Sequence, residues 1–221
     1  MGFALALFVA FAVGGLALSL RPKRNDARRL LAKTPISRIA SFPAKGVGRV
    51  VGKVVEVVDG PLVAPATGKP CAYFSFEIRE ARSAGRVANW AAIFSASDSR
   101  DFWIEDATGR ARVHARTGAT WVVVERLHGK SGTFDDPTPQ EDEIFRRYGI
   151  DPQGFVGFNR ALEYHEATVH LGEMVTVLGT GHRELDTSVP GQGYREPGTR
   201  LVIAQADATH VVVSDQSELL I

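Results

Sequence analysis

The chain has 221 residues, with 26 basic against 25 acidic side chains and a formal net charge of +1. Six of the cations and one acid fall in residues 21–33, which leaves 20 cations against 24 acids elsewhere. A mildly acidic remainder argues against nucleic acid as a partner, and a single cysteine, Cys71, excludes an intramolecular disulfide and suits a cytosolic domain.

Phe3 to Leu20 is an unbroken apolar run without a charge. Counted from Met1, a helix of that length rises about 30 Å, the thickness of a bilayer core. The run predicts a transmembrane helix over residues 1–20, followed by a basic juxtamembrane segment over 21–33. With the cations on the C-terminal side, the positive-inside rule puts the N-terminus outside and the following domain in the cytoplasm, as a single-pass protein of the cell membrane. A cleaved signal peptide ending near Ala17-Leu18-Ser19 is the rival, and an envelope-facing domain the other topology. A missing basic n-region and the length of the run weigh against cleavage. Arg21, Lys23, Arg24, Arg28 and Arg29 are candidate contacts for acidic headgroups, although setting topology accounts for them equally well.

Thr34 to Pro43 reads as a short connector, so the soluble domain spans 34–221. Most of it has the alternation of β-strands. Val47 to Val58 is valine-rich and glycine-punctuated, which predicts a bent or bulged strand. Cys71 to Glu80 alternates cleanly, with Ala72, Phe74, Phe76 and Ile78 on one side. Further strands are predicted at Ala88–Ser95, Trp121–Leu127, Arg160–His170, Met174–Gly179, Arg200–Ala204 and His210–Val213. Asp101 to Ala115 reads as a hairpin turning at Asp106-Ala107-Thr108-Gly109. Gly129 to Gln140 reads as a surface loop. Thr138-Pro139-Gln140-Glu141 is a capping box with proline at the first helical position, which starts a helix that stops at Gly149. The expected fold is mainly β: an N-terminal transmembrane helix, then one barrel- or sandwich-like domain with one or two inserted helices.

No catalytic, cofactor or metal site follows from the motifs. His165-Glu166-Ala167-Thr168-Val169-His170 spaces its histidines five apart. A zinc helix needs four, and on a strand the two fall on opposite faces. Gly46-Val47-Gly48-Arg49-Val50-Val51-Gly52 places its third glycine one residue late for a dinucleotide loop and lacks the strand-to-helix context. Cys71 reads as a small packing residue. Arg110, Arg112, His114 and Arg116 form a basic stripe along one strand. It is either a solvated face, neutralised by acids such as Glu105, or a docking surface for an anionic partner. Gly154-Phe155-Val156-Gly157-Phe158 reads as a loop packing over an open end of the β-domain.

Several short segments recur in a familiar order. Thr34-Pro35-Ile36-Ser37 leads into the glycine/valine strand. Gly60-Pro61-Leu62-Val63-Ala64-Pro65 precedes Gly68-Lys69-Pro70-Cys71-Ala72-Tyr73. Phe102-Trp103-Ile104-Glu105-Asp106-Ala107-Thr108-Gly109, Glu163-Tyr164-His165-Glu166, Leu171-Gly172-Glu173-Met174 and Val211-Val212-Val213-Ser214-Asp215 follow. From Thr34 onward the chain resembles the GIDE, or beside-a-membrane, domain of mulan-like RING-type E3 ubiquitin ligases. In those proteins the domain lies between two transmembrane helices and a RING finger follows. One cysteine cannot supply the RING's eight zinc ligands, so ligase activity does not carry over. The resemblance implies a membrane-adjacent, non-catalytic interaction module with an unknown protein partner and no cofactor. A ubiquitin-transferase-related or accessory enzyme is the alternative.

Overall fold

The structure, a computed structural model, describes residues 24–43, 46–83, 88–116, 118–131, 136–153, 160–185, 199–206 and 210–221. It opens with helix α1 (Arg24–Lys33), strand β1 (Ile36–Ser37) and a 3-10 turn at Ile39–Ser41. Next come β2 (Val47–Val57), β3 (Leu62–Val63), β4 (Pro70–Ser83), β5 (Ala88–Ser99), β6 (Phe102–Asp106) and β7 (Gly109–Val113). The second half holds β8 (Thr120–Val122), β9 (Glu125–Ser131), α2 (Pro139–Arg147), β10 (Leu162–His170), β11 (Met174–Leu185), β12 (Thr199–Ala204), β13 (Val212–Ser214) and a final 3-10 turn at Ser217–Leu219.

Strand β2 is shared. Its first half pairs antiparallel with β11 and its second half with β6, and a register shift between Val54 and Glu56 marks the bulge that lets one strand turn from one partner to the other. From β6 the ladder continues through β7, a parallel pairing to β12, and back to β11. These five strands close on themselves as a Greek-key barrel, the architecture of the OB-fold. Strand β1 lies parallel beside β2, while β13 and β8 extend the sheet from β11.

Alternation fills the barrel. Val50, Val54, Ile104, Ala111, Val113, Val175, Val177, Leu201 and Ile203 are all buried in one cluster. Each large aliphatic side chain taken from water contributes about 1.5–3 kcal/mol. Two glycines make room for an aromatic plug. A Cβ at Gly48 would stand 2.6 Å from the Phe42 ring, and one at Gly181 only 2.3 Å from it. The turn between β6 and β7 is tied to the N-terminal segment by Asp106. Its carboxylate accepts from the amides of Ile39, Thr108 and Gly109 and from the Thr108 hydroxyl. Burial works against its charge, but those donors prevail and hold the carboxyl below its ordinary range.

The segments between barrel strands build a second, open sheet in which β4 lies between β5 and β10, β10 continues to β9, and β3 covers the start of β4. One of its faces carries Phe76, Ile78, Leu162 and Tyr164, buried under Ile144 and Phe145 of α2. The capping box forms as the sequence predicts: Thr138 Oγ1 accepts from the Glu141 amide, and the Glu141 carboxylate accepts from the Thr138 amide. The other face meets the barrel core through Tyr73, Ala167 and Val169, and beyond that contact it turns polar.

Three sequence expectations change. The expected fold class included a membrane-spanning helix. No helix among the described residues is long and apolar enough to cross a membrane, and α1, with ten residues, is the longest. The run over 1–20 lies outside the described residues, so the fold is stated without that helix, as a mainly β barrel and half-barrel with two α-helices. Part of the basic segment 21–33 is not a free juxtamembrane stretch but α1 itself, docked through Ala27 and Leu31 onto Val122, Leu178, Val212 and Leu219. Trp121–Leu127 is not one strand: it breaks after Val122, and its halves, β8 and β9, enter different sheets.

Where α1, the C-terminal turn and the barrel meet, Arg49 is 4% exposed. Its guanidinium donates to the carbonyls of Leu31 (2.7 Å), Thr34 (3.2 Å) and Leu219 and to Thr176 Oγ1 (3.0 Å). The carbonyls lie at or just past the ends of α1 and the C-terminal turn, where intrahelical donors run out. Burial pushes the Arg49 pKa down. Replacing Arg49 by Met strands these acceptors and should cost about 3 kcal/mol, a fall in Tm of roughly 6–12 °C for a domain of this size. Arg49→Lys should recover little, because one ammonium cannot serve the planar fork's separate directions. Thermal melts of both variants check this.

Candidate functional site

The basic stripe stands where the alternation puts it. Ala111, Val113 and Ala115 point into the core, and Arg110, Arg112, His114 and Arg116 lie on the outer face. Each arginine has a carboxylate. Arg110 meets Glu56 at 3.0 Å and Glu105 at 3.9 Å, Arg112 meets Asp101 at 3.4 Å, and Arg116 meets Asp59 at 3.4 Å. The Trp103 ring has the guanidiniums of Arg110 and Arg200 at 5.3 and 5.5 Å from its centre, and Arg200 in turn pairs with Glu184. An anionic ligand would have to displace these acids, so the stripe is an ion-paired face, with little unbalanced charge to offer.

The headgroup candidates are divided. Arg21 and Lys23 lie outside the described residues. Arg24 donates to the Val123 carbonyl, Arg28 pairs with Glu218 at 2.9 Å, and Arg29 is exposed on α1. Two of the cations are therefore spent on fixing α1 to its own domain. The loop Gly154–Phe158 also lies outside the described residues.

Cys71 is fully buried, its thiol 3.7 Å from the Leu62 carbonyl. Burial first, and then the carboxylates of Glu166, Asp98 and Glu173, push the thiol up to about 12. His170 is its cross-strand neighbour, but that imidazole bonds Thr168 Oγ1 at 2.8 Å and the Pro70 carbonyl at 3.0 Å. His165 lies on the opposite face of β10, as strand geometry requires. Cysteine and histidines do not assemble into a nucleophile and base.

Two arrangements that the sequence reading missed are more distinctive. One is a cleft of about 370 Å³ between the barrel and the second sheet, lined by Tyr73, Ser97, Asp98, Arg116, Thr120 and Trp121 among others. Tyr73 and Trp121 stack at 4.1 Å and 9°, forming one wall. The buried Thr120 hydroxyl has no hydrogen-bond partner among the described residues. The other is on the polar part of the second sheet, where His128, Glu163 and His165 bring their donor atoms within 4.8 Å of one another. Glu163 and His165 alternate on β10, a pattern readable once β10 is taken as a strand. His128 is their neighbour only through the β9–β10 register, which pairs it with His165.

No family model matches this chain, and neither the curated proteins nor the solved structures give a match. The site must therefore be read from its own chemistry. Because the Cys71 thiol is neutral and enclosed, the folded protein should resist alkylation by iodoacetamide at pH 8, with labelling below about a tenth of that in denaturant. Mass spectrometry of the Cys71 peptide reads the outcome.

Proposed function

We propose that the chain is a non-catalytic interaction module, of the kind its resemblance to the GIDE domain implies, and that it takes up an extended segment of a partner protein along β5. The observation that carries this reading is the edge itself. Among the described residues β5 pairs only with β4, although it runs for 12 residues. Ala88 to Ser97 contains no charged residue and no proline. Solvent-facing edges are normally blunted by one or the other, because a row of open amides and carbonyls is a template for another strand. Strand addition is the recognition mode that such an edge serves: main-chain hydrogen bonds give affinity, and side-chain pockets give selectivity.

The far end of β5 supplies a pocket. Ser97, Asp98 and Ser99 line the cleft together with the Tyr73–Trp121 stack, Arg116 and Thr120. An added strand reaching past Ser97 would set a side chain against the aromatic wall, within reach of Asp98. The cleft volume suits a few side chains, at the small end of the range for ligand sites. The enclosed Cys71 thiol favours binding over covalent chemistry.

Ala92 and Ser95 are exposed, so the double variant Ala92→Lys/Ser95→Lys should fold normally and place two charges on the edge. Wild-type protein should recover a partner from lysate above a charge-matched control, and that partner should slow amide exchange across residues 89–97. The lysine variant should lose both effects. Equal capture by the variant, or a bound partner that leaves those amides unprotected, would refute the reading.

A further inference from the structure

The geometry points to a second site that the interaction reading does not use: we propose that His128, Glu163 and His165 bind a zinc-class divalent cation. Glu163 stands between the two imidazoles. Its Oε1 is 3.2 Å from His165 Nε2, and its Oε2 is 3.9 Å from His128 Nε2. The rings lie 4.7 Å apart at 32°. Nitrogen and carboxylate ligands bind zinc at about 2.0–2.2 Å, which sets tetrahedral ligand atoms about 3.4 Å apart. The carboxylate–His165 separation already meets that spacing. His128 must move inward to reach the same spacing, and its side chain, 51% exposed, has room to do so.

The local charge favours a cation. Glu163 is 8% exposed, and a carboxylate so withdrawn from water requires compensation. Arg79 approaches it only to 3.8 Å and spends its fork on Glu77, with bonds of 2.7 and 3.2 Å. Lys130, opposite Glu163 in the ladder, turns its ammonium over the Trp90 ring at 5.1 Å. Glu77 lies across from His165 on the other neighbouring strand. Glu163 turns one carboxylate oxygen toward each imidazole, so that one carboxylate and two imidazoles make up the donor set. Two nitrogens and one oxygen suit zinc, nickel or copper over magnesium or calcium, which prefer all-oxygen shells.

The backbone holds the donors in place. Glu163 and His165 project from one face of a strand that is hydrogen-bonded on both sides, and His128 comes from the adjoining strand in register. Three protein ligands leave a coordination position open, and His128 places it at the solvent side of the cluster. Water or a donor atom from a bound macromolecule can complete the sphere there.

The test uses tag-free, full-length protein, stripped with a chelator. Zinc chloride titrated by calorimetry should bind at one equivalent. Cobalt chloride should give visible d–d bands of a low-symmetry nitrogen–oxygen site. His128→Ala, which removes an exposed side chain, should weaken zinc by at least about tenfold, as should Glu163→Gln and His165→Asn where circular dichroism shows them folded. His182→Ala, exposed on β11, should change nothing. Absence of saturable zinc uptake at micromolar concentration, or uptake unaffected by His128→Ala, would overturn the assignment.

Discussion

The guanidinium of Arg49 joins parts of the chain that local forces cannot bring together. It emerges from β2, bonds a hydroxyl on β11, and reaches carbonyls at the end of α1 and in the C-terminal turn. Residues up to 170 positions away from Arg49 thus converge on its side chain. No carboxylate balances it in these bonds; the charge is met by main-chain carbonyls, which carry the negative end of the helix dipole. A buried cation held this way is tolerable only while every partner is present, so the barrel's closure, the seat of α1 and the C-terminal turn stand or fall together. The β2–β11 pairing above it turns an open sheet into a barrel, and the second sheet has a firm surface to lean on only because that barrel is closed.

From this frame the two halves of the molecule have different characters. The barrel has spent its edges: β2 and β11 are each paired along their length, and the outward arginines are matched by acids. The half-barrel has not. Its β5 edge is open among the described residues, and its polar face holds an imidazole pair around a withdrawn carboxylate. Both candidate sites lie on or beside the segments inserted between barrel strands. The same economy is common in barrels, where a rigid closed core carries variable insertions that do the recognising.

The strands were legible wherever one face is buried and the other wet. Ala111, Val113 and Ala115 against Arg110, Arg112 and Arg116 announce β7 because alternation is a direct consequence of the pleat. The capping box at Thr138 was equally plain, since its chemistry is local. The bulge in β2 could be inferred from its glycines and valines, but not that it lets one strand serve two partners. Helix α1 was hidden because four cations among its ten residues dominate the composition, while only Ala27 and Leu31, one turn apart, report a docked face. Trp121–Leu127 looked continuous because Val123 and Val124 carry no break signal; tertiary pairing, not propensity, parts them. The His128–Glu163–His165 cluster depends on register between strands 30 and more residues apart, and periodicity within one strand does not encode that. The basic stripe was located correctly, while its neutralisation by Glu56, Asp59 and Asp101 comes from neighbouring strands and loops that a linear reading does not juxtapose.

The docking of α1 has a mechanical corollary. Ala27 and Leu31 are sunk in the barrel wall, Arg28 is tied to Glu218, and Arg49 grips carbonyls at the end of the helix, so α1 sits on the barrel without slack. The described chain thus starts from a point fixed on the barrel. Tension applied there would not be absorbed by a floppy leash; it would load the seam between β2 and β11 directly.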